Sequence, residues 1–175
     1  MVLDGTLIRT GRCRDKILSV RGQEVDLWYC GKIRGHAGNV QAVLARGGFP
    51  LWVSDAEPGS VHDITAARTH ALPTLCHAAA NGLTVLADAG YDGVSPAIHI
   101  PAKQRRTHPP LGISARTRNM LLRSLRCQGE RGFALLKGRW RTLKRITASP
   151  SKITRIIRTA LVLTHFEHGY LNQNP

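Results

Sequence analysis

Acidic residues are scarce in this chain: 11 Asp and Glu stand against 25 Lys and Arg in 175 residues, a formal net charge of +14. That imbalance points to a polyanionic partner, nucleic acid before a membrane surface, because no strongly amphipathic basic helix stands by itself. Cysteine is sparse and scattered. Cys13, Cys30, Cys76 and Cys127 contain no CxxC pair, which argues against a zinc knuckle or a disulfide framework and for reduced thiols. No apolar run approaches membrane-spanning length; the longest, around residues 160–163, is interrupted by His165. No signal peptide is expected, since Met1-Val2-Leu3 runs at once into Asp4-Gly5. Internal repeats and low-complexity tracts are also absent.

What is present suffices for one domain with its own core, taken as residues 1–175. Residues 2–8 read as a short strand carrying Asp4, and residues 9–25 as a polar loop. Residues 26–33, 39–45 and 49–53 read as strands, with Gly47-Gly48 as a tight turn, so an antiparallel meander is expected. Pro58-Gly59 breaks it. A short helix over 61–70 with Ser60 as N-cap precedes a second over 72–81, ended by Gly82. Residues 83–87 are nearly continuously apolar, as a buried central strand requires, and 97–100 form one more strand. A basic loop over 103–110 leads into a helix over 114–144. Its stripe is Leu122, Leu125, Gly129, Gly132, Leu136, Trp140 and Leu143. A final helix is expected over 151–171. The order predicts an α/β fold, a mixed sheet covered by helices.

Three of the few acids stand out. Asp4 lies in Leu-Asp-Gly-Thr, where a turn is the ordinary reading of Asp-Gly. Asp88 ends the apolar strand, where α/β sheets place ligand-binding groups, although it also suits a cap of the turn at Ala89-Gly90-Tyr91. Glu130 sits beside the helical stripe, at the rim between core and solvent. There a salt bridge to Arg126 or Arg131, worth only about 0.3–0.5 kcal/mol, would account for it. Two strand-borne aspartates and a helix-borne glutamate can nevertheless converge at one sheet edge. Three carboxylates suit two Mg²⁺ ions, hard cations that take oxygen ligands, in displacement at phosphorus.

The residues around these acids carry a resemblance. Leu3-Asp4-Gly5-Thr6-Leu7-Ile8, Gly59-Ser60-Val61-His62-Asp63 and Leu86-Ala87-Asp88-Ala89-Gly90-Tyr91 occur in that order. Arg126, Glu130 and Lys137 follow in an Arg-x3-Glu-x6-Lys spacing. The ordered set resembles the catalytic domain of the DDE transposases of bacterial insertion sequences, in the group related to the eukaryotic Harbinger elements. The resemblance implies a ribonuclease H-like fold, a mixed five-stranded sheet flanked by helices, with Asp4 beside Asp88. It implies Mg²⁺-dependent DNA strand cleavage and transfer at element ends, with two ions for which Mn²⁺ can substitute. Asp4, Asp88 and Glu130 would be the catalytic residues and metal ligands. Arg126 and Lys137 would contact DNA phosphate or orient Glu130. Asp63 also sits in a family block; Asp88 is the better second acid because it ends a buried strand, and a charge interaction at a helix N-terminus is the alternative for Asp63. His62 is expected to be a structural hydrogen-bonding residue or a DNA neighbour and not a metal ligand; His36 begins no metal-spaced pair. Arg123 stands where the signature often has Tyr.

The remaining cations extend the expected DNA surface: Lys103, Arg105 and Arg106 in the basic loop, and Arg131, Arg139 and Arg141 around Trp140, which itself lies on the apolar stripe. They are expected to track the phosphate backbone without reading sequence. The resemblance leads to the expectation that this chain is N-terminally truncated relative to the family, without its helix-turn-helix region. The partners expected are therefore DNA, a second copy of the chain or a separate N-terminal half, in the bacterial cytoplasm with the nucleoid. Two other functions share the residues: a non-catalytic DNA-binding transposase remnant, and a ribonuclease H-like nuclease that does not transpose.

Overall fold

The computed structural model describes residues 1–19, 21–104 and 110–170, and within them all side chains but those of Leu125, Arg126 and Gln128. In chain order the strands and helices are β1 (Val2–Thr10), β2 (Lys16–Leu18), β3 (Glu24–Asp26), β4 (Tyr29–Cys30), β5 (Gly35–Leu44), β6 (Pro50–Val53) and β7 (Glu57–Pro58). These are followed by α1 (Asp63–His70), α2 (Leu72–Ala80), β8 (Val85–Ala87), β9 (Ile98–His99), α3 (Ile113–Arg139), β10 (Arg145–Ile146) and α4 (Ile153–Glu167).

The fold is mixed α/β, ribonuclease H-like, on a five-strand path ordered β4-β5-β1-β8-β9. The long strands β1 and β5 form its spine, antiparallel from Val2 opposite Leu44 to Arg9 opposite Ala37. The other edge of β1 is shared. Strand β8 runs parallel at Val2–Leu3 and β10 runs parallel at Arg9–Thr10. Strands β6 and β7 extend the outer edge of β5.

Alternation of side chains separates two cores. Val2 and Ile8 of β1, with Val40, Ala42 and Leu44 of β5, face α3 and α4, where Leu122, Phe133, Leu136, Ile153 and Ile157 complete the layer. Leu3 and Val43, with Val85 and Ala87, face α1 and α2 through Ala67, Leu72 and Leu75. Among the described residues no helix is long and apolar enough to cross a membrane.

Several elements differ from the sequence expectation. The stretch expected to be a loop extends β1 to Thr10 and then forms the β2–β3 hairpin. Its strands are exposed, so no apolar period marks them; the Lys16–Asp26 ion pair and the Ser19 N–H···Gln23 carbonyl bond hold them. The expected strand over 26–33 contracts to Tyr29–Cys30, which turns through Gly31 and Arg34 back onto Gly35 and His36. Ser60 is not an N-cap. The Val61 N–H bonds the Pro58 carbonyl, closing a turn, and α1 starts at Asp63 with His62 as N-cap. The third helix ends at Arg139, because Trp140 leaves helical geometry (φ −103°, ψ 87°) and its indole N–H reaches Thr164 Oγ1 at 2.8 Å. Arg145 and Ile146 then join β1, a long-range pairing that local periodicity cannot reveal. The last helix stops at Glu167, before Gly169 at φ 66°; the expected end at Leu171 lies outside the described residues.

Candidate active site

Register fixes the first pair of acids. Leu3 lies opposite Ala87 in the parallel β1–β8 ladder, so the next residues, Asp4 and Asp88, stand side by side on strands roughly 4.8 Å apart. They project to the same face, because Asp4 alternates with Val2 and Asp88 with Leu86, all on the α3 side. Asp88 is still extended (φ −71°, ψ 161°), which carries the alternation one residue past the strand. One oxygen of each carboxylate takes the following backbone N–H: Asp4 Oδ1 from Gly5 at 2.9 Å and Asp88 Oδ1 from Ala89 at 2.5 Å. Asp88 is therefore a turn cap and a site candidate at once. Asp4 is not in a turn; Asp-Gly lies within β1.

Helix α3 passes over this pair. A Cβ on Gly129 would lie 3.4 Å from Asp4 Oδ2 and 3.3 Å from Val2 Cγ1; one on Gly132 would lie 2.5 Å from Leu44 Cδ2 and 2.6 Å from the Gly48 carbonyl. The two glycines let the helix settle onto the sheet at this point. Glu130 is the residue after Gly129 and is exposed at the rim. Among the described residues no three His, Cys, Asp or Glu side chains are grouped to hold a metal ion. The register leads β1 and β8 into Asp4 and Asp88, and α3 meets Asp4 at Gly129, one residue before Glu130. Two like charges on neighbouring strands favour a cation between them. Their oxygen-only chemistry fits a divalent ion of the Mg²⁺ class, so Asp4 and Asp88 would hold it; Glu130 is not grouped with them.

Lys137, about two turns beyond Glu130, points back into the fold. Its Nζ donates to Thr6 Oγ1 at 2.6 Å and to the Leu7 carbonyl at 3.0 Å. Leu7 lies between the β8 and β10 ladders on the β1 edge, and the ammonium fills that interval. Burial pushes the Lys137 pKa down. Arg126 sits on α3 four residues before Glu130, but its side chain lies outside the described residues.

The opposite face of the sheet carries a polar network that the motifs alone did not reveal. Tyr91 Oη donates to Gln41 Oε1 at 2.5 Å, and Gln41 Nε2 donates to Asn39 Oδ1 at 2.9 Å. Asn39 Nδ2 in turn donates to Asp63 Oδ1 at 2.8 Å and to the Val61 carbonyl at 2.9 Å. Asp63 therefore packs against β5 from the side away from Asp4. His62 is exposed, and His36 pairs with Asp26 at 3.3 Å. One signal was available: Asn39 and Gln41 alternate in an otherwise apolar strand, which puts both on one face.

The expected DNA-contacting cations are dispersed. Arg139 forks onto Glu167 (2.6 Å) and stacks over Trp140 at 4.9 Å. Its pKa is raised, and that of Glu167 lowered, first by their hydrogen bond. Lys103 pairs with Asp92 at 3.6 Å. Arg131 and Arg141 are exposed, with no ion pair among the described residues. Arg105 and Arg106 lie outside the described residues.

Neither the curated proteins nor the solved structures contain a match to this chain. A family model does match, over residues 3–165, a span that takes in Asp4, Asp88, Glu130 and Lys137. On that match the chain belongs to the DDE superfamily endonucleases, the Harbinger-related group.

Proposed function

We propose that the chain is the catalytic domain of an insertion-sequence transposase, cutting and joining DNA strands at the element's ends with Asp4, Asp88 and Glu130 as metal ligands. The observation that carries this reading is the parallel register of Leu3 with Ala87, which leads directly into Asp4 and Asp88, together with the close approach of α3 to Asp4 at Gly129. When bound, the divalent metal activates an oxygen nucleophile and stabilises the leaving oxygen at phosphorus. Asp4 and Asp88 hold their carboxylates in one orientation, each tied to its own following N–H. Glu130 approaches from the solvent side, where a phosphodiester must enter. Lys137 ties α3 to β1 and so fixes the height of Glu130 over Asp4. The net charge of +14 supports a DNA substrate held through its phosphates. The order of the motif blocks along the chain supports transposition over plain nuclease action.

The test uses a short duplex carrying element ends, incubated in Mg²⁺ and in Mn²⁺ with the wild type and with Asp88→Ala. Metal-dependent nicking and joined products are expected from the wild type alone. Equal activity of the two proteins would sink the assignment. Salt-sensitive DNA binding with no metal-dependent product at any salt would identify a DNA-binding remnant. Nicking without joined products would identify a nuclease.

A further inference from the structure

The polar network beneath the sheet meets both aspartate segments from behind. Tyr91 is three residues past Asp88, at the end of the single 3-10 turn that Asp88 caps, and its ring is 2% exposed in the α1–α2 core. Its hydroxyl is bonded to Gln41, which lies directly opposite Gly5 in the β1–β5 ladder. Gly5 is the residue whose N–H bonds Asp4 Oδ1. A Cβ at Gly5 would lie 2.7 Å from Gln41 Nε2 and 2.7 Å from Asp63 Oδ1, so the network occupies the space a side chain there would need. Gln41 is fully buried and Asn39 nearly so, and each bond in the chain has a donor and an acceptor.

We propose that Tyr91 and Gln41 are positioning residues for the carboxylate pair. The Tyr91–Gln41 bond sets the Asp88 turn at a fixed height against the Gly5 segment of β1, and thereby the separation at which Asp4 and Asp88 share one cation. The inference rests on the metal-site reading above. Strand pairing alone cannot do this. Strand β8 is three residues long and pairs with β1 only at Val2 and Leu3. Past Ala87 the ladder with β1 ends, and the Tyr91 hydroxyl reaches across to Gln41 of β5.

The experiment titrates the full-length chain with Mn²⁺ and reads free ion by electron paramagnetic resonance. The proteins are wild type, Asp88→Asn, Tyr91→Phe, Gln41→Met, the Tyr91→Phe/Gln41→Met double variant and Leu72→Val. The last loosens the same core without touching a hydrogen bond. Tyr91→Phe keeps the buried ring and is expected to weaken Mn²⁺ binding by about tenfold, as loss of a ligand-orienting partner does. The double variant is expected to bind no more weakly than the worse single one, because all three lack the same bond. Leu72→Val is expected to melt earlier and to bind Mn²⁺ as the wild type does. If binding is lost in Asp88→Asn but Tyr91→Phe binds like the wild type, the positioning role is refuted and the metal site stands. If Leu72→Val weakens binding as much as Tyr91→Phe, the network is packing only and the role is likewise refuted. If the wild type's binding is indifferent to Asp88→Asn, the metal-site reading falls and takes the inference with it.

Discussion

Lys137 Nζ donates to Thr6 Oγ1 at 2.6 Å, two residues along β1 from Asp4. A basic residue of the family signature is thus turned inward, onto the strand that carries the first acid. Lys137→Met would leave the Thr6 hydroxyl and the Leu7 carbonyl without this donor. It is expected to destabilise the fold by about 1–3 kcal/mol, read as a lower denaturant midpoint. DNA affinity should change less than cleavage does.

The same ammonium predicts a pH dependence. Burial lowers the folded pKa of Lys137 below its ordinary value of 10.5. Below the folded pKa the group is charged in both states and its desolvation cost is fully present. As pH rises from there toward 10.5, the unfolded chain holds more protons than the folded one, so stability rises. The stability difference between wild type and Lys137→Met should therefore widen in favour of the wild type across that window. Urea midpoints at stepped pH check the sign; a narrowing gap would contradict it.

Gly129 and Gly132 should respond differently to alanine, although each substitution favours the helix by about 1 kcal/mol. At Gly132 the new methyl meets the Gly48 carbonyl at 2.6 Å, and backbone cannot step aside. A net loss of about 1–3 kcal/mol is expected. At Gly129 the contacts are 3.3 and 3.4 Å, so stability should hold nearly level. Cleavage should still fall by about tenfold or more, because the methyl presses on the Asp4 carboxylate. Melting curves and single-turnover cleavage, measured together, separate the two.

Gly5→Ala places a methyl 2.7 Å from two polar atoms of the buried network. The expected cost is about 1–3 kcal/mol, and the Tyr91 ring should lose its fixed environment in near-ultraviolet circular dichroism. An unchanged spectrum would mean that the network yields without breaking.

For DNA affinity, Arg131→Ala and Arg141→Ala are each expected to reduce the salt slope of binding by about 0.9 per lost phosphate contact. Arg139→Ala should reduce it less, because Arg139 is engaged with Glu167 and Trp140. Binding isotherms at four salt concentrations decide this. A larger loss at Arg139 than at Arg131 would reverse the ranking.

The spine of the fold was readable in the chain because β5 and β8 are apolar enough to announce burial, and Asp88 stands where β8 ends. What escaped was non-local. Arg145 and Ile146 follow directly on the helix expected over 114–144, and nothing local marks them as the strand that pairs with the end of β1. Ile17, Leu18 and Val25 sit in exposed strands without alternation. The strand expected over residues 2–8 does carry Asp4, although Asp-Gly usually marks a turn; the atoms waiting behind Gly5 explain why a residue without a side chain belongs in mid-strand. The Asn39–Gln41–Tyr91 chain draws on residues fifty positions apart, and each alone reads as an ordinary polar residue.

The divided edge of β1 also has a consequence in time. Its partners, β8 and β10, belong to the middle and the far end of the chain, so a ribosome releases Asp4 long before either Leu86 or Arg145 exists. Folding of the centre must wait for contacts of high sequence separation, which are slow to close. A growing chain therefore remains unarmed, holding one aspartate on an incompletely paired strand. On the metal-site reading proposed above, the site would be completed late, when the last strand and the helix bearing Glu130 arrive together.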